Sequence, residues 1–237
     1  MVEHLLWEQG VVGSNPATPT TNLNMTAINT HTLNTLSAIN VDLDLDEKIT
    51  PQELSLIKEN VEYWDRPGKF WLSKTVNLIE DCGLDRIGKL FDRYVQVYAR
   101  KTLGINYNFS RVSSWLTFNT DGTFHHGHNH PNSMISGVLY FNEDLTDENL
   151  TSMNFVLPGL NSTFRDFKFH FEIENHNNHN LRSLNMDVKS NRMIIFPSWM
   201  SHSTDVSRTD EKRYCIGVNY FLADSIKPNT LEQIDLS

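Results

Sequence analysis

Two hydrophobic rhythms divide this chain. Between residues 50 and 104 apolar side chains recur every three to four positions, whereas from about residue 110 they alternate or run in short blocks between turn residues. Thr50-Pro51-Gln52-Glu53 carries a helix start, with threonine as N-cap, proline at the first helical position and glutamate three residues after the cap. The pattern predicts a helix from there to about residue 64, stopped by Pro67-Gly68. A second helix is predicted over 84–103, with Leu84, Ile87, Leu90, Phe91, Tyr94, Val95 and Tyr98 on one face and Gly104 as its stop. A leading strand fits 38–45. Strand-like runs then follow at 112–118, 134–141, 152–155, 168–173, 193–196 and 213–222, with Asp121-Gly122, Pro158-Gly159 and Ser190-Asn191 as turns between them. Helices first and many short strands after predict an α+β chain, mainly β, whose C-terminal part is an antiparallel sandwich or barrel.

Composition narrows the class. A chain of 237 residues with 39% hydrophobic and 11% aromatic content can bury one good core. The formal charge of −9 disfavours a broad electrostatic footprint for nucleic acid or an anionic membrane. Two cysteines, Cys82 and Cys215, make no disulfide framework, which fits a reducing cytoplasm, either the cell's own or that of a host for a phage-encoded chain. No stretch approaches the ~20 apolar residues that a membrane-spanning helix needs. Residues 1–24 show no helical or strand period and no signal-peptide pattern. Gly13-Ser14-Asn15-Pro16 is what translation of a transfer-RNA TΨC arm yields, so an over-extended gene start before Met25 and a disordered tail are both open readings. The expected organisation is a strand and supporting helices over 25–109, a β core over 110–225 and a tail over 226–237.

Chemistry concentrates in the histidines. Of ten, His125, His126, His128 and His130 lie within six positions. In an extended segment residues two apart share a face, so His128 and His130 can converge on one ion; His126 could share that face, and His125 points away. Pro131 then ends regular pairing. A third ligand has to come from elsewhere, and His202 follows Phe196-Pro197-Ser198-Trp199 at the end of an apolar run. Arg213 opens another apolar strand, where a cation is costly to bury unless it meets an anion, and a guanidinium fork suits a carboxylate. Taken alone, Arg213 could instead pair with Asp210 or Glu211. Trp115 and Trp199 read as core aromatics, and Cys215 as a small packing residue on the face of Arg213.

His-x-His, a distal histidine and an arginine about ten residues beyond it resemble the outline of the iron(II)/2-oxoglutarate oxygenases. Leu139-Tyr140-Phe141-Asn142 and Arg213-Tyr214-x-Ile216-x-Val218-x-Tyr220-Phe221 are similar to strands of the prolyl-hydroxylase branch. His128-Asn129-His130-Pro131-Asn132-Ser133 leading into Ser136-Gly137-Val138-Leu139-Tyr140, with Phe196-Pro197-Ser198-Trp199 before His202, resembles an oxygenase group of bacteria and phages. The resemblance covers roughly residues 110–222. It implies a double-stranded β-helix, or jelly roll, behind an N-terminal helical flank, with iron(II) held by His128, His130 and His202. It also implies 2-oxoglutarate anchored by Arg213, with Tyr140 and Asn219 as further contacts to the cosubstrate or to the ligands. The implied reaction is hydroxylation of an acceptor by dioxygen, releasing succinate and carbon dioxide. The acceptor is unidentified, a protein, peptide or small molecule, and residues 60–82 and 142–185 are the expected substrate loops. One departure stands out: the common triad has two histidines and a carboxylate, and His130 occupies the carboxylate position. His130 as ligand, His130 beside a water-filled position, and His126 in its place all stay open; Asp121 could supply an acid but reads as a tight turn. Two competing functions remain, a cupin-like three-histidine enzyme without 2-oxoglutarate and a non-catalytic jelly-roll binding module.

Overall fold

The computed structural model describes residues 37–64, 70–145, 149–156, 183–208 and 210–223. The capping box forms as its residues dictate. Thr50 Oγ1 accepts from Glu53 N at 3.2 Å, and Thr50 N donates to Glu53 Oε2 at 2.9 Å, opening helix α1 over Pro51–Asn60. The helix ends four residues earlier than expected, because Val61 turns extended into the core and Tyr63 bridges to Ser73. A short helix α2, Leu78–Asp81, precedes α3, Asp85–Val97, which runs into a wide turn at Tyr98–Thr102 where Leu103 N reaches Tyr98 O at 3.1 Å. Gly104 follows at φ +67°, the left-handed stop that a glycine accepts without strain.

The strands are β1 (Ile39–Asp42), β2 (Trp71–Leu72), β3 (Phe109–Asn119), β4 (Ile135–Asn142), β5 (Asn149–Val156), β6 (Ser183–Lys189), β7 (Arg192–Pro197), β8 (His202–Thr204) and β9 (Arg213–Leu222). They form a six-stranded sheet ordered β1-β7-β4-β9-β3-β2 and a three-stranded sheet ordered β6-β5-β8. The pairings described are antiparallel. Sequence patterning missed β2, β6 and β8: β2 and β8 are only two and three residues long, and β6 is largely exposed and carries no clean alternation. The strand expected at 168–173 lies outside the described residues. Among the described residues, no helix is long and apolar enough to cross a membrane.

Period-two alternation sorts the large sheet into two chemically different faces. Leu116, Ile135, Leu139, Phe141, Met193, Ile195, Ile216 and Val218 join Ile87, Phe91 and Val95 of α3 in one continuous core. Each large aliphatic or aromatic group buried there contributes roughly 1.5–3 kcal/mol. Gly137 allows the close approach, since a Cβ there would lie 3.3 Å from the Phe91 ring and 3.1 Å from Val218 Cγ2. The opposite face of β4 and β9 presents Ser136, Tyr140, Arg213, Cys215 and Asn219, and the small sheet covers part of it. Phe155 meets Phe196 at 5.1 Å between ring centroids, and Tyr140 Oη lies 3.9 Å from Met153 Sδ. Strand β4 is buried along its whole length because both of its faces are covered. Two antiparallel sheets packed this way, flanked by helices at the N-terminal side, are a jelly roll. Arg192 clips β1 to β7 through a two-pronged ion pair with Asp42 at 2.6 and 2.7 Å.

Candidate metal centre

The segment from residue 120 to 134 is irregular, so His128 and His130 do not converge through strand periodicity. Backbone pairing brings them together instead. His128 exchanges both backbone hydrogen bonds with His202, N to O at 3.0 and 2.9 Å, while His130 N donates to Ser198 O at 2.8 Å. Asp121-Gly122 is a turn, with Gly122 at φ +74°. The nitrogen donors of His128, His130 and His202 all lie within 4.8 Å of one another, and these three are the metal-capable cluster among the described residues. His126 is exposed, and its part is played by its carbonyl. His128 Nδ1 lies 2.8 Å from His126 O, and His202 Nδ1 lies 3.0 Å from Met200 O. A carbonyl can only accept, so each Nδ1 carries the proton and each Nε2 lone pair faces the cluster.

His130 and His202 are held neutral as well as oriented. Burial, with the neighbouring His128 ring adding to it, holds His130 down at about 4. Burial holds His202 at about 3, against a backbone hydrogen bond from Met200 that pulls upward and with the His128 and His130 rings pushing down. Neutral imidazoles can bind a metal ion without first losing a proton. Metal-free protein is expected to become less stable as pH falls below 6.5, the ordinary histidine value. Above it the rings are neutral whether the chain is folded or not; below it the unfolded chain takes up protons that the folded rings refuse. By pH 5 this amounts to roughly 2 kcal/mol for each ring. Urea midpoints between pH 7 and pH 5, with and without a divalent metal, check it; a flat metal-free profile counts against the buried neutral rings.

Arg213 is 2% exposed. Its Nε, Nη1 and Nη2 have no hydrogen-bond partner among the described residues, so neither Asp210 nor Glu211 pairs with it. Burial lowers its pKa, partly offset by Tyr140, Cys215 and Asp205 nearby. Arg213 lies opposite Asn119 on β3 and Asn142 on β4, and Tyr140 is opposite Cys215. Burial pushes the Cys215 thiol up to about 12, which makes it an inert packing group. Trp115 sits opposite Gly217, where a Cβ would lie 2.4 Å from the indole, and its ring is 5.3 Å from that of His130. Four strand positions, ~13 Å of backbone, separate Gly217 from Arg213.

A cavity of about 520 Å³ opens in front of the histidines, walled by Trp64, Phe70, Leu72, Val76 and Trp115, with Ser113 and Asn219 on its floor. Trp115 therefore lines the cavity instead of the core, and Trp199 is 50% exposed, because its strand ends at Pro197 and the chain turns outward. His125 stacks on Phe70 at 3.8 Å and lines the same cavity. Trp64, Phe70 and residues 72–76, inside the first expected substrate loop, contribute a wall; most of 142–185, including His170, His176 and His179, lies outside the described residues. Ser136 and Ser198, quoted in the sequence only as members of longer motifs and given no role there, meet hydroxyl to hydroxyl at 2.8 Å beneath the site.

Residues 113–219 match the model of a family described as "Putative 2OG-Fe(II) oxygenase". No curated protein matches the chain. Among solved structures, HygX from Streptomyces hygroscopicus, with nickel and 2-oxoglutarate bound, aligns at a TM-score of 0.52 and 12% identity, covering 83% of this chain and 89% of its own. A prolyl hydroxylase from Trichoplax adhaerens, in complex with a hypoxia-inducible-factor peptide fragment, aligns at 0.51 and 15%, covering 80% and 85%. The α-ketoglutarate-dependent epimerase SnoN of nogalamycin biosynthesis aligns at 0.51 and 14%, covering 81% and 82%. At these identities the likeness is one of fold.

Proposed function

We propose that this chain, whose residues 113–219 match the 2OG-Fe(II) oxygenase family, is an iron(II)- and 2-oxoglutarate-dependent dioxygenase that hydroxylates an organic acceptor. His128, His130 and His202 would hold the iron, and Arg213 and Tyr140 the distal carboxylate of 2-oxoglutarate. The observation that carries this reading is a three-imidazole cluster together with a buried guanidinium whose three nitrogens have no partner among the described residues. A fully buried cation costs several kcal/mol unless an anion compensates it, and a planar fork meets a carboxylate with two parallel hydrogen bonds. A three-histidine enzyme without a diacid cosubstrate has no use for such a cation.

When bound, iron(II) and 2-oxoglutarate supply the oxidising chemistry, in which one oxygen atom of O2 ends in succinate and the other in the acceptor's new hydroxyl, with carbon dioxide released. The protein's contributions follow from its own atoms. The carbonyls of His126 and Met200 fix the imidazole tautomers, so both Nε2 atoms are presented as donors. Three neutral donors leave the ion its full charge, which favours a dianionic cosubstrate. Tyr140, fully buried beside Arg213, has its pKa raised well above its ordinary value by burial and stays a neutral donor. Trp115 and the Phe70–His125 stack line the cavity in front of the ligands and give it an aromatic wall.

Anaerobic titration with iron(II) and then 2-oxoglutarate tests the assignment. The expected result is the weak visible charge-transfer band of the chelated complex. Iron binding without the band moves the assignment to a three-histidine enzyme that uses no cosubstrate, and absence of iron binding moves it to a binding module.

A further inference from the structure

The cavity floor holds a hydrogen-bond donor that the metal centre does not use. Ser136 Oγ lies 2.7 Å from Asn219 Oδ1, Ser198 Oγ lies 2.8 Å from Ser136 Oγ, and Ser133 Oγ lies 2.8 Å from Ser198 Oγ. Ser136 Oγ donates to Asn219 Oδ1 and Ser133 Oγ donates to Ser198 Oγ, whereas the alternative outlet of the chain, Ser133 Oγ to His130 O, is long at 3.3 Å. The hydroxyl protons therefore run from Ser133 through Ser198 and Ser136 to Asn219 Oδ1, and Asn219 Nδ2 is turned into the cavity. Ser136 and Ser198 are 1% and 0% exposed, so no water competes for this order. Ser198 also accepts the backbone N–H of His130, which ties the position of the donor to that of a metal ligand.

The rest of the wall states what that donor can meet. Most of its polar side chains are already engaged: Ser73 bonds Thr75 O, Thr75 bonds Asp81, and Thr117 bonds Cys215. The wall's lysine, Lys74, is paired with Glu62 at 2.9 Å. Among the described residues, Asn219 Nδ2 and the neighbouring Ser113 Oγ, directly opposite on β3, have no partner. Trp64, Phe70, Leu72, Val76 and Trp115 make up the remainder, with His125, His126, His128 and His130 along the metal-facing side. A volume of about 520 Å³ is ample for a small organic molecule. Resting on the oxygenase reading of the site, we propose that the acceptor is an uncharged, flat, apolar small molecule bearing a carbonyl oxygen, and that Asn219 Nδ2, with Ser113 Oγ beside it, reads that oxygen. Asn219 is on this account a specificity-determining residue.

The test uses the full chain with zinc(II) in place of iron(II) and with 2-oxoglutarate present. Three probes, 1-naphthamide, 1-methylnaphthalene and 1-naphthoate, are compared by ligand-observed NMR. The amide is expected to bind roughly tenfold tighter than either of the others, the upper range for one well-placed neutral hydrogen bond. Asn219→Asp keeps the acceptor for Ser136 but removes the donor, and is expected to bring amide and hydrocarbon to within about twofold of each other. Should that variant fail to fold, Ser136→Ala, which frees the amide to rotate, is expected to reduce the preference in the same direction. Equal binding of amide and hydrocarbon by the native protein overturns the proposal, as does tightest binding of the naphthoate or an undiminished preference in the folded variants. An iron–2-oxoglutarate band with no amide preference overturns this inference alone. An amide preference with no band overturns the oxygenase reading and with it the role of the bound molecule as acceptor.

Discussion

Arg213→Met is expected to make the metal-free, cosubstrate-free protein more stable while nearly abolishing 2-oxoglutarate binding. The two effects share one cause. In the native chain a guanidinium with 2% exposure has no partner for any of its three nitrogens among the described residues. Burying it uncompensated costs free energy that an apolar side chain of similar volume does not, and such replacements gain about 1–4 kcal/mol. With the diacid present the sign reverses: removing one partner of a buried, hydrogen-bonded charge pair costs roughly 2–5 kcal/mol, equivalent to a thirtyfold or greater loss of affinity. Urea unfolding with and without saturating 2-oxoglutarate reads both. Native protein should gain stability from the cosubstrate and the variant should not. A variant that is less stable in both conditions would mean that Arg213 is a structural residue, and it would leave the mechanism.

The second large effect is expected at His202. It is 5% exposed, it is the proposed ligand on the strand that pairs with His128, and Phe155 and Phe196 hold its ring. His202→Ala leaves two nitrogen donors, one of them on the exposed His128. Iron affinity should fall by more than the ~10–100-fold that loss of an outer partner costs, because a ligand itself is gone. The same substitution removes the group whose protonation is most strongly opposed in the folded state, so the metal-free variant should lose less stability between pH 6.5 and 5 than the native protein. Iron binding followed by calorimetry, together with urea midpoints at both pH values, separates ligand loss from misfolding. Unchanged iron affinity in a folded variant would place the ion elsewhere.

Local chemistry was readable in the chain wherever neighbours along the sequence decide the outcome. Thr50, Pro51 and Glu53 form their capping box without help from the rest of the molecule. Asp121-Gly122 and Ser190-Asn191 turn because Gly122 and Asn191 tolerate a positive φ. The apolar face of α3 and the alternation along β9 follow from helix and strand periods alone. The histidines and Arg213 could be singled out because a ligand or a cation at the end of an apolar strand is chemically conspicuous. Which of them meet was another matter. Residues 128–130 lie some seventy positions from 202, and their convergence depends on a backbone bridge in an irregular segment, where period-two reasoning has no purchase. Exclusion of His126, the unpartnered state of Arg213, the exposure of Trp199 and the serine chain ending at Asn219 all come from strand register and from how the two sheets cover each other. Those are set by which faces the whole chain can bury at once, a property of long-range packing that no short stretch of residues contains.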